Sequence, residues 1–377
     1  FTTLHTLPPA CRRRQVKRRI LFISDSPYLI GPNAMLQSLV TALVESDWEV
    51  RVMLPDDPDK SQTWSFEAGV HPTRLQPDLD ANGLWNLRTR ISEYRPDIIH
   101  AWGYPSHLRA MTGSLGLSIP QKFASFFEIP PSQSMTRRWI ETQSLADVQL
   151  TAAHEAIVGQ LLPEGYRQDF RIIPHGISGR ATDRSQARQR LLELLGRKSE
   201  ALFLAGTVSD LSPRYRLKDL VWAVDLLGCI RDDVHLLIFP TGNDSHPLRR
   251  FISKTASREH VHFVPPELVA DDYLAGLDVY WNSQLEEPLP ASMMSAMSWQ
   301  IPVVSVLGFG TSELIQPLRS GLATNLSARD EFARWTKYLI EQPESAQQLA
   351  LQGKEHVEAM FPTARMIDGY LDLYSMA

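Results

Sequence analysis

The sequence predicts an α/β protein of two doubly wound, parallel-sheet domains that face each other across a cleft. Short apolar runs recur along the whole chain, and leucines and valines at helical spacing lie between them. The length of 377 residues exceeds one ordinary domain and suits two of about 150–200 residues each.

The first run, Ile20 to Ser24 (ILFIS), is bounded by polar residues, as expected of a buried parallel strand. A loop containing Gly31-Pro32 follows, and then Leu36, Leu39, Val40 and Leu43 recur at helical intervals. Glu49 to Leu54 reads as the second strand. The polar stretch from Asp56 to Ala81 carries no clear period and is left unassigned. Further strands are expected at Ile98 to Trp102, Lys122 to Phe127, Val148 to Ala152 and Phe170 to Ile173, with helical segments such as Arg137 to Ala146 between them. Together they make a Rossmann-like domain over residues 1–177.

A second series begins after a charged helical stretch from Gly179 to Gly196. Its strands are expected at Ala201 to Ala205, Val234 to Phe239, Val261 to Val264, Val279 to Asn282 and Pro302 to Leu307, with Leu322 to Leu326 the weakest. Helices fit Leu217 to Leu227, Pro247 to Ser257, Ala291 to Trp299, Ser327 to Glu341 and Ser345 to Met360. This gives a second domain over 178–360. Within 361–377, Met366, Tyr370, Leu373 and Tyr374 fall on one side of a last helix, which is expected to pack back on the first domain.

Apolar residues make up 43% and charged residues 21% of the chain, and a net charge of −5 offers no general attraction to nucleic acid. With only Cys11 and Cys229, a disulfide framework and a Cys-rich zinc site are excluded, and a cytoplasmic setting is expected. The longest nearly apolar runs, such as Ile301 to Phe309, fall far short of the roughly 20 residues that span a bilayer. The basic stretch from Arg12 to Arg19 fits two readings: a solvated arm, or a peripheral contact with anionic lipid headgroups.

The most informative segment runs from Trp281 to Val304, a strand, an acidic loop broken by prolines, a small-residue helix and a new strand. Ligands of open α/β sheets bind where a strand end meets a helix N-terminus. Glu286 and Glu287 there either accept from sugar hydroxyls or complement the helix dipole. Met293, Met294 and Met297 read as core-facing, and Ser292, Ser295 and Ser298 form a stripe of small residues. Upstream, Gly206-Thr207-Val208 closes a strand before a basic loop with Arg214, Arg216 and Lys218. Glycine would let a phosphate approach the backbone and the cations would neutralise it, or the loop is a solvated basic turn.

Five segments in order carry a resemblance: PDIIHAWG at Pro96 to Gly103, RIIPHGI at Arg171 to Ile177, AGTVSDLSPRYRLKDLVWAV at Ala205 to Val224, LDVYWNSQLEEPLPASMMSAMSWQIPVV at Leu277 to Val304, and FGTSELI at Phe309 to Ile315. The chain resembles glycosyltransferase family 4, retaining enzymes of the two-domain GT-B fold that use nucleotide-sugars. The resemblance implies that the C-terminal domain holds the donor and the N-terminal domain presents the acceptor. Glu287 matches the first glutamate of the family's Glu-x7-Glu pair, on the donor sugar. Ser295 stands where the second, ribose-binding glutamate is usual, Thr207 replaces a diphosphate-binding arginine, and Gln300 replaces a glycine.

Arg216 and Lys218 are then the expected catalytic cations at the diphosphate, with Arg214 third and Gly206 at the strand end. Gly31 begins the family's glycine loop, with Pro32 in place of a second glycine. Phe126 or Phe127 replaces a histidine, and Glu128 follows. His100 either closes a strand or touches a ligand, and His175 fills a hinge position usually held by asparagine. Glu313 matches a glutamate near the donor, or belongs to a helix capped by Thr311 or Ser312. The implied partners are a nucleotide-sugar, as substrate and not cofactor, and a glycan or lipid-linked acceptor. No metal is expected, since no Asp-x-Asp dyad stands out. The replacements at Ser295 and Thr207 leave a second reading open, a catalytically impaired GT-B pseudoenzyme that binds a nucleotide or glycan or scaffolds a partner.

Overall fold

The computed structural model describes residues 17–24, 31–55, 71–75, 81–104, 106–128, 145, 147–161, 169–177, 183–196, 202–241, 246–265, 273–285, 287–308, 310–326 and 328–376. The N-terminal sheet contains β1 (Arg19–Ser24), β2 (Glu49–Pro55), β3 (His71–Leu75), β4 (Ile98–Trp102), β5 (Gln121–Phe126), β6 (Gln149–Ala152) and β7 (Phe170–Ile172), all parallel, in the order β3-β2-β1-β4-β5-β6-β7. The second is also parallel and runs β10-β9-β8-β11-β12-β13, from β8 (Phe203–Ser209), β9 (Val234–Pro240), β10 (Val261–Phe263), β11 (Val279–Asn282), β12 (Val303–Val306) and β13 (Leu322–Thr324). Strand order reverses beside β1 in one sheet and beside β8 in the other, which are the switch points where such sheets bind ligands.

The described helices are α1 (Pro32–Glu45), α2 (Ala81–Tyr94), α3 (Ser106–Gly113), α4 (Glu155–Leu161), α5 (Arg184–Leu194), α6 (Leu217–Gly228), α7 (His246–Ile252), α8 (Ala291–Ser298), α9 (Thr311–Leu314), α10 (Asp330–Glu341), α11 (Pro343–Met360) and α12 (Thr363–Ser375). The helix expected over Arg137 to Ala146 falls almost wholly outside the described residues. Leu36, Leu39, Val40 and Leu43 form the buried face of α1, and Pro32 is tolerated in its first turn because no intrahelical amide is needed there. Met293, Met294 and Met297 are fully buried on α8, as their spacing predicts.

Two strands differ most from the sequence reading, and the helix expected over Pro247 to Ser257 ends at Ile252. The stretch left unassigned contains β3, which among the described residues pairs only with β2 at the sheet edge and needs no apolar run to do so. The strand expected at Ala201 to Ala205 continues to Ser209, so Gly206 lies inside β8. An added Cβ at Gly206 would sit 2.3 Å from Leu277 Cδ1, so this glycine makes room for a leucine.

The last helix returns to the N-terminal sheet. Tyr374 Oη lies 2.5 Å from His100 Nδ1, His100 Nε2 lies 2.7 Å from Ser125 Oγ, and Ser125 Oγ reaches Thr151 Oγ1 at 2.6 Å and Tyr370 Oη at 3.1 Å. His100 is wholly buried, and burial lowers its pKa to about 3, so the ring is neutral. The cleft contact considered for His100 is therefore corrected: its nitrogens are occupied beneath α12. The outgoing and returning crossings between the domains also touch. Ile177 N–H donates to Phe361 O at 3.0 Å, and an added Cβ at Gly176 would lie 2.6 Å from Thr363 Cα.

Of the basic stretch, residues 12–16 lie outside the described set. Lys17 pairs with Asp47, Arg18 donates to Tyr374 O at 3.1 Å and lies over Trp48, and Arg19 meets Glu49 at 3.2 Å. These three cations bind the chain's own surface. Among the described residues no helix is long and apolar enough to cross a membrane.

Replacing Tyr374 by Phe removes the hydroxyl from His100 Nδ1 while keeping the ring. The expected loss is about 1–3 kcal/mol of unfolding free energy, read from urea denaturation. An unchanged midpoint would show that the buried network does not hold α12 down.

Candidate active site

The two domains meet around the start of α8. The preceding sequence, Glu287-Pro-Leu-Pro, fixes an extended entry, and Pro290 occupies the N-cap position without a side-chain acceptor for the first amides. Glu287 fills that need: its Oε1 accepts from Ala291 N–H at 3.2 Å. Gln284, almost fully buried, clamps Glu287 from the other side. Its Oε1 accepts from Glu287 N–H at 2.8 Å, and its Nε2 donates to Glu287 Oε2 at 3.2 Å. Glu286 lies outside the described residues.

From the facing domain comes the residue that precedes α1. Gly31 has φ 59° and ψ −125°, a conformation reserved for glycine. An added Cβ there would lie 3.6 Å from Ala291 Cβ, so the start of α1 and the start of α8 are in close approach. Beyond the end of β5, Phe127 lies between Trp102 and His175, at ring-centroid distances of 4.7 and 5.1 Å. Glu128 comes next and crosses the cleft. Its Oε2 accepts from Arg214 Nη2 at 2.9 Å, while Asp210 Oδ2 accepts from Arg214 Nη2 and Nε at 2.7 and 3.1 Å.

The charges perturb one another. Burial raises the pKa of Glu287 to about 8, the charge of Glu128 adds to the rise, and Ala291 N–H and Arg214 oppose it. Glu287 is thus largely a neutral acid at pH 7. Burial works against the charge on Arg214, but Glu128 and Asp210 outweigh it and keep the guanidinium protonated. Tyr215, next to Arg214, has its pKa pushed well up by burial and by Glu287 and Glu128, so its phenol stays neutral.

The three candidate cations part company at a single turn. Residues Pro213–Tyr215 form one 3₁₀ turn, and Arg216 then adopts φ 51° and ψ 32°, left-handed geometry that is rare for a side-chain-bearing residue. Arg214 joins the interdomain cluster. Arg216 instead reaches Asp219 Oδ2 at 2.5 Å, and Lys218 is exposed over the Phe251 ring. Neither expected catalytic cation has a described contact with Glu287 or Glu128.

Other predicted residues are placed as follows. Thr207 is buried in β8, next to Val208, whose N–H donates to Tyr280 Oη at 3.4 Å; that hydroxyl also lies 2.7 Å from Ser292 Oγ. Ser295 is buried one turn beyond Ser292 on α8. Glu313 is half-exposed on α9 and accepts from His154 Nε2 at 2.9 Å, a second link between the domains. Neither Thr311 nor Ser312 caps α9, whose N-cap position is Gly310. His175 is buried, its pKa lowered by burial to about 3, and neither ring nitrogen has a hydrogen-bond partner among the described residues. Gln284 and Tyr215 are the cleft residues that the sequence reading missed. Among the described residues no group of three or more His, Cys, Asp or Glu side chains could hold a metal ion.

With this geometry in place, comparison with known proteins identifies the family. Residues 31–178 match the family model described as Glycosyltransferase Family 4, and residues 196–356 match that described as Glycosyl transferases group 1. The lipopolysaccharide core biosynthesis glycosyltransferase LpsE of Rhizobium meliloti (strain 1021) is 24% identical over 140 residues, which cover 37% of this chain and 41% of that protein. The structure of Anabaena HepE in complex with UDP-glucose superposes with a TM-score of 0.75 at 16% identity, over 95% of this chain and 100% of that one. Sucrose-phosphate synthase from Thermosynechococcus elongatus gives 0.74 at 17% identity, over 96% and 99% of the two chains. WaaG, a glycosyltransferase involved in lipopolysaccharide biosynthesis, gives 0.71 at 13% identity, over 94% and 99%. Two family matches that fall in order on two facing parallel-sheet domains show that the chain belongs to glycosyltransferase family 4 and has the GT-B fold.

Proposed function

We propose that the protein is a retaining glycosyltransferase that moves a sugar from a nucleotide-sugar to a glycan or lipid-linked acceptor. The observation that carries this reading is the cross-domain cluster of Glu287, Arg214 and Glu128 at the start of α8. The relatives agree in kind: the Anabaena structure holds UDP-glucose, and the Rhizobium protein is a glycosyltransferase of lipopolysaccharide core biosynthesis.

In this reading the donor sugar lies against Glu287. As a neutral acid at pH 7 it can donate its proton to a sugar hydroxyl while Oε1 keeps its bond to Ala291 N–H. The departing diphosphate gains negative charge in the transition state, and charge placed in advance there lowers the barrier. Arg214 is the cation in position, and the partial positive end of α8 adds to it. Arg216 and Lys218 take part only if the loop rearranges. Glu128, on the acceptor side, orients Arg214 before the donor arrives. No metal and no cofactor enter the proposal.

The pseudoenzyme reading keeps one observation in its favour. Thr207 and Ser295, both buried, bring no charge to positions where the resemblance leads one to expect an arginine and a glutamate. Mixing the protein with UDP-, GDP- and ADP-sugars separates the readings. Thermal stabilisation with donor turnover is expected, whereas stabilisation without turnover favours the pseudoenzyme and no response to any nucleotide overturns the donor site. If turnover is found, Arg214→Gln should lower kcat by about 100-fold, and wild-type rates in that variant would remove Arg214 from the mechanism.

Glu287 also predicts a pH dependence of stability. Its unperturbed pKa is 4.5 and its folded value about 8, so the native state holds a proton that the unfolded chain releases. The resulting stabilisation is complete below pH 4.5 and is lost as pH rises toward 8. Glu287→Gln should flatten this part of the stability profile. Equal slopes in the two proteins, measured by urea unfolding from pH 5 to pH 8, would contradict the raised pKa.

A further inference from the structure

We infer that the outer face of α6 is an interface for a second copy of this chain, packed helix against helix in antiparallel order. A helix that covers a sheet buries one face and ordinarily turns a polar side to solvent. In α6, Leu217, Leu220, Val221, Val224 and Leu227 supply the buried face. The outer face is apolar as well. Trp222, Leu226 and Ile230 follow one another at intervals of four residues, and they are 43%, 43% and 60% exposed. Ile230 belongs to the same row because the chain keeps a helical turn past Gly228, with Ile230 N–H donating to Leu227 O at 2.9 Å. An added Cβ at Gly228 would meet nothing within 4 Å, so this flank of the row lies open among the described residues.

The charges at the two ends of the row select the occupant. Exposed Lys218 stands one turn before Trp222, and exposed Asp232 stands just past Ile230. The neighbouring charges are engaged elsewhere. Asp219 is buried and held by Arg216 and Arg329 at 2.5 and 2.8 Å, Asp225 accepts from Ser257 N–H at 2.7 Å, and Arg231 and Asp233 pair with each other at 2.6 Å. The row is therefore positive at its start and negative at its finish.

A two-fold axis through Leu226 satisfies the spacing and the charges together. Leu226 meets its own counterpart, Trp222 of each copy meets Ile230 of the other, and Lys218 of each copy comes beside Asp232 of the other. Such a contact is isologous and closes on two copies. Parallel packing would set Lys218 against Lys218, and a surface of anionic lipid would repel Asp232. With three apolar side chains from each copy the contact is small, so the dimer is reversible and depends on concentration. The inference does not rest on the glycosyltransferase reading, because the row shares no residue with the cleft cluster of Glu287, Arg214 and Glu128.

Sedimentation equilibrium of the full chain, from about 1 to 200 μM, is expected to show monomer and dimer in exchange. Leu226→Asp brings two like charges together on the axis and should raise the dissociation constant about 100-fold or more. Lys218→Asp should weaken the dimer about fivefold, and adding Asp232→Lys to it should restore the wild-type constant. In a chain with Cys11→Ser and Cys229→Ser, Leu226→Cys should cross-link two copies under mild oxidation. Each variant is first shown to unfold cooperatively. A chain that stays monomeric over the whole range would overturn the proposal. So would a dimer that Leu226→Asp leaves intact, since another surface would then hold it.

Discussion

The structure depends on the clasp at which the chain crosses between domains twice. Ile177 N–H meets Phe361 O, and Gly176 lies against Thr363 so closely that no side chain fits between them. A single connection would leave the domains free to take many orientations. Two crossings held side by side restrict them, and the residue types follow from this. Position 176 must be glycine, α12 must begin at once, and its tyrosines must find polar partners in the sheet they cover.

Those partners explain the core of the first domain. A histidine in a central strand is costly to bury unless both ring nitrogens are satisfied. Tyr374 and Ser125 satisfy them for His100, and Thr151 and Tyr370 extend the network. The central strand and the last helix are thus specified together. Because α12 belongs to the first domain in space and to the second in sequence, the network also anchors the end of the clasp. Glu128 and Arg214 can then face each other through a salt bridge, a contact too weak to orient two domains unaided.

Much of the fold was legible because parallel strands buried on both faces leave continuous apolar runs. The edge strand β3 has one neighbour and a polar sequence, and left no such trace. At the site, Glu287 was legible from its place between a strand and a helix. The companions were not, because their direction depends on backbone geometry. A turn at Pro213–Tyr215 followed by a left-handed Arg216 decides which of several basic side chains enters the cleft, and composition does not encode it. Gly206 is a related case. Glycine permits close approach, but the sequence does not say of what, and here it is Leu277. Gln284 was overlooked since a buried amide clamping a carboxyl has no signature at the level of single residues.

The approach of Gly31 to Ala291 has its own consequence. Two residues with almost no side chain set the spacing between the domains at the mouth of the helix that carries Glu287. The aperture is therefore gauged by backbone against methyl group, about as narrow as a protein interface can be made. Bulk at either position would act as a shim, widening the gap between the domains while leaving the charged groups their chemistry.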